Sequence, residues 1–161
     1  MVKSYFTAEK KIAFVSMGLG ILTCSIASAY LISARPPFYT GLSLAFLAIG
    51  IAEVIVGAST ARRSDWQAID VQKLLGNDPK GFVAQETDRM EKLLKSFTIP
   101  RIIGSFMVLI GIILIAFDKQ EGFLEGLGYG MMMQGVATQV YYDISRYRGK
   151  KYLEYVQNLF K

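Results

Sequence analysis

The stretch IAFVSMGLGILTCSIASAYLISA, Ile12 to Ala34, holds 23 consecutive residues without a charge. An α-helix rises about 1.5 Å per residue and needs roughly 20 residues to cross ~30 Å of hydrocarbon, so this run alone reaches spanning length. Working outward, Pro36 to Ala61 is a second run broken only by Glu53. Ile102 to Phe117 is a third, and Phe123 to Tyr142 a fourth that contains only Glu125. In lipid each segment must satisfy its own backbone, and the period-two alternation of a barrel strand is missing, so the runs read as helices. The expected fold is an all-α membrane protein, a four-helix transmembrane bundle of two hairpins forming one domain over residues 1–161. Its spans lie at about 12–34, 39–61, 99–117 and 123–143, with Ser96 to Arg101 as the interfacial turn before the third.

The first run also has the outline of a secretory signal, since lysines precede it and Ala27-Ser28-Ala29 has a small-x-small pattern. The run continues to about Ile32 and a second span follows at once, which favours a retained helix.

Charge sets the orientation. Sixteen of the 18 Lys and Arg residues lie before the first span, between the second and third, at the foot of the third, or after the fourth. Only Arg35 and Lys119 fall in the two short connections, Arg35-Pro36-Pro37 and Asp118 to Gly122. The positive-inside rule places both termini and the central insert in the cytoplasm. The net charge of +5 is then a topology and membrane-surface signal. No basic-aromatic alternation of a single-strand binder accompanies it, so nucleic acid is not an expected partner.

With no histidine and one cysteine, the chain lacks the usual nucleophile-base pairs, zinc ribbons and disulfide frameworks. It has no P-loop, GxGxxG or HExxH motif either, so no enzyme, cofactor or metal site is expected.

The insert, about 62–97, is patterned. Trp66, Ile69, Leu74 and Leu75 continue the second helix to a stop at Gly76-Asn77, and Asp78-Pro79 reads as an N-cap and first helical residue of another. On that helix Phe82, Val83, Met90, Leu93, Leu94 and Phe97 share one side, with Glu86, Asp88, Glu91, Lys92 and Lys95 opposite. The apolar face, Phe82, Met90, Leu93, Leu94 and Phe97, either packs on the bundle and lipid headgroups or docks a protein partner. The tail, about 144–159, mixes Tyr147, Tyr152 and Tyr155 with Arg146, Arg148, Lys150 and Lys151, as an interfacial helix anchored in phospholipid does.

Within the membrane, Ser16, Gly20, Cys24 and Ser28 form a stripe at a spacing of four, and Gly126 and Gly130 repeat that spacing in the fourth span. Small residues let helices approach closely where lipid supplies no hydrophobic drive, which suits a compact bundle or a homo-oligomer interface. Glu53 lies roughly 12 Å of helical rise above the inner end of its span, a depth at which a lone carboxylate costs about 2.5–3.5 kcal/mol. Arg101 is the expected partner; a proton- or ion-linked site and a partner contact are the alternatives. Gln134, near the midpoint of the fourth span, is a second intramembrane polar candidate, and Asp143 is expected to pair with Arg146.

The segments EVIVGAS (53–59), Arg63 with Gln67, DPKGF (78–82), QETDRMEKLLKSF (85–97) and GVATQVYYDISRYRGKKYLEYV (135–156) together resemble a family of small four-span bacterial inner-membrane proteins to which no activity is assigned. The resemblance implies fold and compartment, and it singles out Glu53, Glu86, Arg89 and Met90. By analogy of architecture, small multi-span proteins include immunity proteins against membrane-directed toxins. The expected function is that of a non-enzymatic binding or accessory protein, with a small oligomeric channel or transporter using Glu53, Arg101 and Gln134 as the alternative.

Overall fold

The computed structural model describes residues 2–33, 36–118 and 122–159. Ala34, Arg35, Lys119 to Glu121 and Lys161, which figure in the expected turns, first span and charge count, lie outside the described residues. Five helices follow in order: α1 (Val2–Ile32), α2 (Pro37–Asn77), α3 (Pro79–Ser96), α4 (Thr98–Phe117) and α5 (Phe123–Gln157). Among the described residues there is no strand. Three helical stretches are long and apolar enough to cross a membrane: α1, α2 and the α3–α4 stretch Pro79–Phe117.

The boundaries follow local chemistry. Asp78 ends α2 by donating its N–H to the Leu74 carbonyl at 2.9 Å, and its Oδ1 opens α3 by accepting the Gly81 N–H at 2.9 Å. Pro79 at the first helical position has no N–H to leave unsatisfied. The expected interfacial turn from Ser96 to Arg101 contracts to Phe97 alone, because Pro100 falls in the first turn of α4, where proline is tolerated.

The helices lie in the order α1, α2, α5, α4, each packed on its neighbour, with α3 against the lower parts of α2 and α5. Among the described residues α1 and α4 do not touch. The expected four-helix bundle thus takes the form of a row without a contact between its first and last helices.

Two kinds of packing hold the row. Within the charge-free runs the buried residues are Gly, Ala and Ser, apart from Gln134. They recur at sevens: Ala13, Gly20 and Ala27 on α1; Ser43, Gly50 and Gly57 on α2; Gly104 and Gly111 on α4; Gly128 and Gly135 on α5. A seven-residue period keeps one seam facing its partner, and small residues on it bring backbones together. A methyl group on Gly20 would lie 2.7 Å from the Gly50 carbonyl oxygen, and one on Gly111 would lie 2.6 Å from that of Gly128. The expected stripe at fours is thus partly displaced: Gly20 is on the seam, whereas Ser28 is exposed.

Below the runs the core consists of large side chains, Val2, Phe6, Val71, Phe82, Met90, Tyr152 and Val156, drawn from α1, α2, α3 and α5. Here burial of apolar surface from water supplies the drive that lipid cannot, about 1.5–3 kcal/mol per large side chain. The tail of α5 is accordingly not the headgroup-anchored helix expected, since Tyr152 and Val156 are buried in this core.

The hairpins α1–α2 and α4–α5 repeat one another. A shift of 84 residues carries Gly20 to Gly104 and Ala27 to Gly111, and one of 85 carries Gly50 to Gly135, Ser43 to Gly128 and Val71 to Val156. Contacts between the halves are reciprocal: Gly41 abuts the Phe123 carbonyl, and its counterpart Gly126 abuts the carbonyl of Phe38, the counterpart of Phe123. Reciprocity of this kind is the mark of a two-fold relation, whose axis here passes between α2 and α5.

Candidate functional site

The structure separates the residues expected to pair. Arg101 Nε binds Asp143 Oδ1 at 2.8 Å, joining the foot of α4 to α5 and displacing both the Glu53–Arg101 and the Asp143–Arg146 pairs. Arg101 precedes by three residues Gly104, which faces Gly135 and Gln139 of α5, whereas α2 lies beyond α5 in the row. Glu53 packs its Cβ toward Gly20 of α1, half-buried. Gln134 is buried, on the stripe of α5 that carries Gly126 and Gly130 toward α2. Glu53, Arg101 and Gln134 therefore lie at three separate helix contacts.

The expected docking face is corrected as well. Phe82 and Met90 are fully buried by α1, α2 and α5, and Leu93 and Leu94 are half-buried. Phe97 meets the Tyr142 ring at 5.7 Å. The face is consumed inside the chain. Glu86, assigned to the polar side, lies four residues after Phe82 and four before Met90, which places it on the buried side at 3% exposure.

Arg89 compensates it. Its Nε and Nη2 bind the two Glu86 carboxylate oxygens at 2.7 and 2.6 Å, Nη1 binds Gln67 Oε1 at 3.1 Å, and the guanidinium lies over the Phe6 ring at 5.3 Å. One side chain thus joins α1, α2 and α3. Burial works against its charge, but the Glu86 hydrogen bonds and charge outweigh burial and hold Arg89 above its ordinary value. Tyr152, on α5, has its ionisation pushed up by burial and then by the Glu86 charge.

Above this pair is a cavity of about 240 Å³. Its walls are Tyr5, Glu9 and Ile12 of α1 on one side and Leu93, Ser96 and Phe97 with Pro100 on the other. Its floor comes from α2 (Val56, Thr60, Arg63) and α5 (Tyr141, Tyr142, Ser145, Arg148). The repeat maps Val56 to Tyr141, Thr60 to Ser145 and Arg63 to Arg148, so the cavity straddles the two-fold axis and is lined by one arginine from each half. Arg148 also donates from Nη1 to the Ala8 carbonyl at 3.1 Å. Glu9 has no such counterpart, because the shift carries it to Leu93.

Glu9 Oε2 and the adjacent Ser64 hydroxyl are buried without a hydrogen bond of acceptable geometry. Glu9 precedes the charge-free run, and burial raises its pKa against the opposing charges of Arg63 and Arg89. A raised carboxylate contributes stability that is complete below its unfolded-state value and is lost as pH rises through the higher folded value. Thermal unfolding in detergent should therefore show a midpoint that falls across that window, and Glu9→Gln should flatten the fall.

Sequence reasoning missed Glu9, Tyr5 and Arg148 as site residues and met Arg63 only within a resemblance. The 85-residue spacing of Arg63 and Arg148 was the available signal. Among the described residues no group of acidic, cysteine or histidine side chains is disposed to hold a metal ion. Known protein families, curated proteins and solved structures contain no match to this chain.

Proposed function

We propose that the protein is a non-enzymatic binding or accessory protein of a bacterial inner membrane, with four spans and both termini cytoplasmic, acting by lateral association with a membrane protein. A toxin-neutralising role is one concrete form of this. The row of helices carries the reading: α1 and α4 are its edges, each packs chiefly on one neighbour, and neither meets the other. Each edge leaves large apolar side chains uncovered, Leu19 and Ile26 on α1, Ile103 and Ile110 on α4. The upper part of α5 lies alongside the charge-free runs of α2 and α4, which supports counting it as a fourth span despite its glycines and amides. Trp66, 65% exposed just past the second run, suits the headgroup zone.

Crosslinking in native membranes followed by affinity purification should recover one dominant membrane partner attached through α1 or α4. A preparation that yields none counts against the reading. In the transport alternative, Glu53→Gln abolishes flux in proteoliposomes. Here the same change leaves ion permeability at the level of empty vesicles and raises stability in detergent by about 1–3 kcal/mol, since it removes an unpaired carboxylate at lipid depth.

A further inference from the structure

The cavity lies where four sequence boundaries meet. Ile12 begins the first charge-free run, Thr60 stands at the end of the second, Pro100 precedes the third, and Tyr142 closes the fourth; all four line it. This is the level at which hydrocarbon gives way to headgroups.

Toward the cytoplasm the walls converge: Tyr5 stacks on Tyr152 at 4.1 Å between ring centres, and Arg148 reaches across to Ala8. Above the cavity, α1 and α4 do not touch one another, so neither closes the space between them on that side. At about 240 Å³ the space is below the ~300–1,000 Å³ of a usual small-molecule site. It admits a polar headgroup while the acyl chains stay outside, along the exposed face of the row.

The lining specifies the chemistry. Two lining arginines, Arg63 and Arg148, one per half, suit the shared oxygens of a phosphate. Glu9 interrupts the symmetry on one wall with a buried carboxylate beside the Ser64 hydroxyl, and Tyr5 and Tyr141 line the same cavity. A carboxylate beside aromatic rings receives an ammonium. We propose that this cavity is a headgroup site for a phospholipid that carries both a phosphate diester and a primary ammonium, entered sideways from the bilayer. The site goes beyond the lateral-partner reading and stands or falls separately from it.

The test is native mass spectrometry of the delipidated full chain in detergent, offered equal amounts of phosphatidylethanolamine, phosphatidylglycerol and phosphatidylcholine of identical acyl chains. The expected result is a single retained phosphatidylethanolamine, favoured about tenfold over phosphatidylglycerol. Arg63→Gln should reduce retention of all three. Glu9→Gln should bring phosphatidylethanolamine down to the level of phosphatidylglycerol, while Arg62→Gln, off the cavity, should change nothing. Glu9→Gln is isosteric and carries the test alone should Arg63→Gln not give a monodisperse protein. Equal retention of the three lipids by the unaltered chain, or a preference that survives Glu9→Gln, overturns the proposal. Displacement of the bound lipid by free phosphoethanolamine at matched concentration overturns the lipid assignment in favour of a soluble ligand.

Discussion

Arg89→Met should destabilise the protein in detergent by about 3 kcal/mol, read as a lowered midpoint of chemical unfolding. The change strands Glu86, 3% exposed, as an unpaired buried carboxylate, and breaking such a pair costs about 3–5 kcal/mol. The lower end applies because a quarter of the Arg89 side chain, 25%, remains exposed, so water already shares in its solvation. Removing both charges is a different experiment. Glu86→Leu combined with Arg89→Met should recover most of the loss, because methionine and leucine fill similar volume against Phe6 and Tyr152 and no charge is left to desolvate. If the double variant is as weak as the single one, the contribution comes from the Gln67 and Phe6 contacts of Arg89 rather than from the ion pair.

Gly126→Val should be at least as damaging, by about 3 kcal/mol, the upper end of overpacking costs. A Cβ at Gly126 would run into the backbone carbonyl of Phe38, and a main-chain oxygen has no rotamer through which to retreat. The α2–α5 contact joins the two halves, so its loss should appear as parting of the halves, detectable when a crosslink engineered between the upper ends of α2 and α5 no longer forms. Gly41→Val should match it through the reciprocal contact with Phe123. Gly18→Ala supplies the opposite sign: nothing lies within 4 Å of a Cβ there, and alanine in place of glycine inside α1 should stabilise by about 0.5–1 kcal/mol.

The long helices were legible before the structure, although α1 begins at Val2, ten residues before the expected span. Charge-free length marked α1, α2 and α4, and Asp78-Pro79 marked the break between α2 and α3 to the residue. The arrangement of the helices was not, because an apolar run states that a helix meets lipid without stating which neighbour it meets. The small-residue period was present but was sought at four; the seam runs at seven, through Ala13, Gly20 and Ala27. Glu86 was misplaced because a charged residue suggests a solvated face, although its position between Phe82 and Met90 already put it inside. The cavity was hidden for another reason. Glu9, Arg63 and Arg148 are far apart in the chain and ordinary in type, and only the folding of one hairpin onto its repeat brings them within reach.

Because the repeat exchanges α1 with α4, the chain offers its surroundings the same backbone contour on two opposite flanks. A membrane protein that recognises one flank through features common to both would meet a second berth on the far side. On the lateral-association reading proposed above, a companion with one binding face would then form a complex of two companions to one chain, and only a companion with two faces would extend it into a string.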